Sequence, residues 1–145
     1  MKIYFAHPFA TEGFSAKVVL WFLQKAFPDW KFCNPFDSPL TQLWFDSPVN
    51  KHKQIAKEIV EKDLSLIKES DAVLAYIPDL LAEDFPSYAM LGTAMEIFYA
   101  RRELHKPVYA LTPFHHPWLI ALEVKTAATT DELKKMLKED YGNAE

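Results

Sequence analysis

Cysteine occurs once in this 145-residue chain, at Cys33. A single thiol excludes an intramolecular disulfide and any zinc cluster built on thiolates, and it fits a reducing cytoplasm. Glycine occurs three times. None of the three forms a Gly-x-Gly-x-x-Gly turn after the first strand, a Walker loop or a Gly-x-Ser-x-Gly elbow, so no classical dinucleotide site, P-loop or hydrolase nucleophile elbow is supported. Positive charge is not concentrated anywhere. The net charge is -4, and the Arg101-Arg102 pair reads as a solvated helix face, so a nucleic-acid polymer is not an expected partner. Long apolar runs are also missing. Met1 to Ala6 is too short for a signal peptide or a membrane span, and no later run qualifies, so no membrane partner is expected.

What remains has the composition of one globular domain: half the residues are hydrophobic and a quarter charged. The length suffices to bury a single core. Ile3 to Ala6 reads as a strand that ends near His7, because Pro8 cannot sit in a central ladder. Phe14 to Phe27 reads as a buried helix stopped by Pro28, since Val18, Val19, Leu20, Phe22 and Leu23 are too dense for a thin stripe. Trp30 to Cys33 is a second strand. The stretch 34–48, with three prolines, reads as a long loop of the kind that often carries function.

Asn50 to Ser70 is an amphipathic helix. At about 100° per residue, Ile55, Ile59, Val60, Leu64, Leu66 and Ile67 share one half of the wheel. Asp63 falls in the middle of that apolar half. A carboxylate aimed into a core is costly without partners, so Asp63 either has a buried partner or lines a cavity. Ala72 to Ile77 reads as a central parallel strand, buried on both faces. A helix carrying Glu96 follows and runs to about Leu104. Pro107 to Leu111 is the next strand, His115 to Trp118 a loop, and Leu119 to Lys125 a last strand. Thr130 is expected to cap a final helix from Asp131 to about Lys138.

Alternation of this kind argues for an open parallel sheet with helices on both faces, in which ligands bind beyond the carboxyl ends of the strands. Those ends are His7, Asn34, Pro78 and Thr112. Glu96 has a bland explanation, since Thr93-Ala94-Met95-Glu96 matches a capping box. Asp63 has one too, as a structural carboxylate pinned by backbone N–H groups. Two carboxylates directed at one crevice weigh against both. His7, His115 and His116 are candidate ligands or bases, but an adjacent His-His pair suits a single metal poorly, and no metal or other cofactor is expected.

Ile3-Tyr4-Phe5, Asn34-Pro35-Phe36, Glu61-Lys62-Asp63-Leu64, Ser70-Asp71 and Gly92-Thr93-Ala94-Met95-Glu96, followed by Lys106-Pro107-Val108-Tyr109, resemble the nucleoside 2-deoxyribosyltransferase family, which includes the related deoxynucleoside 5'-monophosphate N-glycosidases. The resemblance spans residues 3 to about 120. It implies a single domain over 1–145 with an α/β flavodoxin-like (Rossmann-like) three-layer sandwich around a five-stranded parallel sheet. It implies a cytoplasmic homodimer or higher homo-oligomer acting on small-molecule nucleosides and free nucleobases.

It further implies that Glu96 is a nucleophile attacking the anomeric carbon, that Tyr4 orients it, and that Asp63 assists departure of the base. On this reading Glu96 stays ionised near a helix N-terminus, and Asp63 is held protonated by desolvation. Ser87, with Asp84 behind it, is the candidate for holding a sugar hydroxyl just before Gly92. Phe9 and Phe36, with Trp44 and Phe45, are candidates to stack on a base, and His7 and Asn34 stand at the same strand ends. The stretch His7 to Thr11 contains no arginine, which favours an uncharged nucleoside over a nucleotide, while His7, His115 and His116 leave contact with a 5'-phosphate open as the alternative. Transfer to a second base, hydrolysis by water and non-catalytic nucleotide sensing are the competing outcomes.

Overall fold

A computed structural model describes residues 1–79 and 90–142. Five strands, β1 (Lys2–Ala6), β2 (Lys31–Cys33), β3 (Ala72–Tyr76), β4 (Val108–Leu111) and β5 (Lys125–Ala127), form one sheet in the order β2-β1-β3-β4-β5. Every pairing is parallel. This is the flavodoxin-like order, with its topological switch between β1 and β3. The expected fold class is therefore observed.

The helices are α1 (Ser15–Ala26), α2 (Pro39–Asp46), α3 (His52–Glu69), α4 (Leu91–Phe98), α5 (Pro117–Ala121) and α6 (Thr130–Tyr141). Alternation along the strands sorts the core into two layers. Ile3, Phe5, Leu74, Tyr109 and Leu111 pack with Val19 and Leu23 of α1 and Leu133 and Leu137 of α6. Tyr4, Ala6, Val73, Ala75, Val108 and Ala110 face Ile67 of α3, Ile97 of α4 and Ala100. β1, β3 and β4 are buried on both faces because each carries apolar residues at both parities, as a parallel strand between helices requires. After Phe98 the chain widens into one π-helical turn, Tyr99–Glu103. Arg101 of that turn is not simply solvated: its Nε donates to the Leu122 carbonyl at 2.7 Å and its guanidinium pairs with Glu123.

Several expectations are corrected. The stretch 34–48 is not all loop, because α2 lies within it. Ser38 caps α2, accepting from the Leu40 N–H at 3.2 Å, and Pro39 occupies the first helical position. The step after β4 is likewise a helix, not the start of a strand. His116 Nδ1 accepts from the Trp118 N–H at 3.2 Å, Pro117 opens α5, and the strand begins only at Lys125. In both places proline starts a helix that a breaker reading treats as loop. The last helix is capped by Thr129 rather than Thr130, and runs on to Tyr141. Finally, α1 is not buried all round. Ala16, Val19, Leu23 and Ala26 face the sheet, while Phe14 (77 % exposed) and Trp21 (62 %) stand in solvent. Among the described residues, no helix is long and apolar enough to cross a membrane.

Candidate active site

The candidate site lies where β1 and β3 diverge in connectivity, beside α3 and α4. Tyr4 is a core residue of β1, 0 % exposed, in register with Cys33 on β2 and Val73 on β3. Its parity sends the ring toward α3 and α4. There its hydroxyl donates to Glu96 Oε2. Burial and the neighbouring Glu96 and Asp63 carboxylates raise the phenol far above its ordinary range, so Tyr4 stays protonated and acts as the donor.

Glu96 does not close a capping box. The helix starts at Leu91, so Glu96 is its sixth residue and Thr93 is not the cap. Position also corrects the charge expectation. The dipole acts within the first turn, and Glu96 lies beyond it. Its carboxyl is pushed up to about 8, chiefly by burial and further by Asp63, against the downward pull of the Tyr4 hydrogen bond and of Lys62. Burial therefore favours the neutral acid, against the ionised state expected from the sequence.

Asp63 sits one helix away on α3, close enough to act on both Tyr4 and Glu96 electrostatically. Its side chain is 19 % exposed, and Oδ1 lies 3.0 Å from Lys62 Nζ. Apart from this ion pair, Oδ1 is buried without a hydrogen-bond partner among the described residues. Burial raises the Asp63 carboxyl, while Lys62 opposes the shift. The anomaly seen on the helical wheel is therefore a largely buried carboxyl paired with Lys62. Lys62 also donates to the Pro35 carbonyl at 2.5 Å, tying α3 to the turn after β2.

A second polar cluster lies at the ends of β1 and β2. The His7 ring is buried, with Nδ1 3.0 Å from the Phe5 carbonyl and Nε2 2.5 Å from Glu12 Oε2. The carbonyl can only accept, so Nδ1 carries a proton. Asn34 Nδ2 donates to both Glu12 oxygens, at 3.0 and 3.2 Å, and Asn34 Oδ1 accepts from the Phe36 N–H. His7 and Asn34 thus brace two loops against each other. Glu12 was not singled out in the sequence, where nothing about its spacing marks it as the link.

Phe36 packs edge-on to His7 and to Phe9, and Phe9 meets Phe45 at 5.0 Å. These rings form an aromatic wall beside the cluster. Trp44 is not part of it, being stacked on His52 at 4.0 Å. Gly92 is the exposed second residue of α4, where an added Cβ would meet nothing within 4 Å among the described residues. His115 and His116 are exposed. Asp84 and Ser87 lie outside the described residues.

No protein-family model matches the chain, and no curated protein matches it. Solved structures do. The 2-deoxyribosyltransferase from Bacillus psychrosaccharolyticus superposes with a TM-score of 0.61 at 21% identity, over 92% of this chain and 90% of that one. The CMP N-glycosidase from Clostridium botulinum superposes with a TM-score of 0.57 at 18% identity, over 96% and 99%. The chain therefore shares, over nearly its whole length, the fold of a 2-deoxyribosyltransferase and of a CMP N-glycosidase.

Proposed function

We propose that this protein is an enzyme that moves 2-deoxyribose between nucleobases through a covalent sugar–Glu96 intermediate. The observation that carries the reading is the hydrogen bond from the buried Tyr4 hydroxyl to Glu96, with the Asp63 carboxyl alongside. Retaining glycosyl transfer requires a nucleophilic carboxylate and a second carboxyl that protonates the leaving group. Ionised Glu96 attacks the anomeric carbon. The C–N bond breaks, its electron pair leaves with the base, and the base takes a proton from Asp63. A ring nitrogen of a second base then attacks the same carbon, gives its proton to Asp63, and releases Glu96. The productive form has the proton on Asp63 and the charge on Glu96.

The fold shared with a CMP N-glycosidase keeps a second reading in view, in which water replaces the second base. Charge favours a nucleoside over a nucleotide as substrate. The Lys62 ammonium already contacts Asp63 and the Pro35 carbonyl, and His7 is matched by Glu12. Incubating the protein with a deoxynucleoside and a different free base, followed by chromatography, tests the proposal. A new nucleoside supports transfer. Free base and free sugar alone support hydrolysis. Binding without conversion would contradict both. Repeating the experiment with a deoxynucleoside monophosphate tests the charge argument, with slower conversion expected.

Tyr4→Phe should keep the packing of β1 and remove the donor to Glu96. The carboxylate then loses its stabilising hydrogen bond, so Glu96 titrates above its value of about 8. Activity at pH 7 is expected to fall roughly tenfold to a hundredfold, in line with loss of a hydrogen bond to a charged group, and to recover in part at higher pH. A pH–rate profile of the variant checks both.

A further inference from the structure

Thr93 stands one turn before Glu96 on the same helix. It is 2 % exposed, facing the sheet with Ile97. Its hydroxyl is buried and has no hydrogen-bond partner among the described residues. A buried hydroxyl left unpaired costs free energy, and valine would fill the same volume without that cost. Residues three apart on a helix are neighbours, and side chains lean toward the helix N-terminus, so the Glu96 carboxyl leans back over the turn that holds Thr93. Glu96 Oε2 is taken by Tyr4, while Oε1 has no hydrogen bond among the described residues.

We propose that Thr93 is a positioning residue for Glu96, whose hydroxyl donates to the second carboxylate oxygen once Glu96 is ionised. This rests on the reading of Glu96 as the nucleophile. The neutral acid that burial favours at rest draws a hydroxyl only weakly, and ionisation makes the bond strong. The pair Tyr4 and Thr93 then holds one oxygen each and fixes the plane of the carboxylate before attack. When the sugar ester breaks down, the same two donors receive the returning charge. The groups that otherwise set the charge state of Glu96 are Tyr4 on β1 and Asp63 and Lys62 on α3. Thr93 adds a donor from α4 itself.

The test compares Thr93→Val, which keeps the shape, with Thr93→Ser, which keeps the hydroxyl. Glu96 is followed by carbon NMR of protein labelled at glutamate carboxyls, assigned by the signal missing in Glu96→Gln. In Thr93→Val, Glu96 should titrate about one pH unit higher, a tenfold change in its ionisation constant. In Thr93→Ser it should shift by less than half as much. Thr93→Val should melt no lower than the parent. Where the parent converts nucleosides, the acid limb of kcat/KM moves with the NMR titration, and the rates converge at high pH. An unchanged Glu96 titration in Thr93→Val overturns the inference, whether or not the melting temperature falls. A shifted titration in a protein that converts no nucleoside upholds it and overturns the proposed reaction instead.

Discussion

Replacing Glu96 with glutamine is expected to abolish turnover, by roughly four orders of magnitude or more, as removal of a nucleophile does elsewhere. It should also stabilise the protein at alkaline pH. Glutamine matches glutamate in shape, and its carbonyl can still accept from Tyr4. What it lacks is a negative charge to bury. The Glu96 carboxyl is raised from 4.5 to about 8 in the folded chain. Between those values the native state holds a proton that the unfolded state has released, so stability falls as pH rises through this window and levels off above about 8. Glutamine has no such slope.

The full shift would correspond to several kcal/mol at 1.36 kcal/mol per pH unit. Partial solvent access reduces this to on the order of 3 kcal/mol. Glu96→Gln should therefore melt roughly 5–10 °C above the parent at pH 8.5 and close to it at pH 4. Thermal denaturation across that range measures the difference. Equal melting temperatures at every pH would mean that Glu96 is not held in a desolvated crevice.

Asp63→Asn should have the next largest effect. A general acid contributes roughly 10²–10⁴-fold, and asparagine cannot donate an acidic proton to a departing base. The loss should depend on the leaving group. A base that departs readily as an anion needs little protonation and loses least, while one that must be protonated loses most. The alkaline fall in kcat/KM should vanish as well, since it reports loss of the Asp63 proton. A uniform loss across all bases, with the alkaline limb intact, would assign Asp63 to binding rather than to proton transfer. Little loss of stability is expected, because among the described residues Oδ1 of Asp63 has no hydrogen-bond partner beyond its ion pair with Lys62.

The central strands β1, β3 and β4 were legible because they are apolar runs, Ala72 to Ile77 above all, that end at prolines or polar residues, whereas β5, Lys125–Ala127, is no such run and was expected too early. Asp63 was legible because helical periodicity leaves one carboxyl among Ile59, Val60 and Ile67. Glu96 stood out through the resemblance of its surrounding block, and the local pattern alone pointed to a capping box instead. Pattern could not locate the true helix start at Leu91, which takes Glu96 out of the first turn and leaves burial to set its charge. Pro39 and Pro117 misled for one reason: a proline that ends one element also suits the first turn of the next. Glu12 was invisible because its partners, His7 and Asn34, come together only when β1 and β2 lie side by side.

The covalent intermediate on Glu96 is the centre of the account. Its most direct test is to incubate the protein with a deoxynucleoside alone, quench in acid, and weigh the intact chain and its peptides by mass spectrometry. The expected result is the mass of one deoxyribosyl group on the peptide that contains Glu96, removed by adding a free base and absent from Glu96→Gln. Turnover with no adduct on that peptide, together with activity persisting in Glu96→Gln, would contradict it.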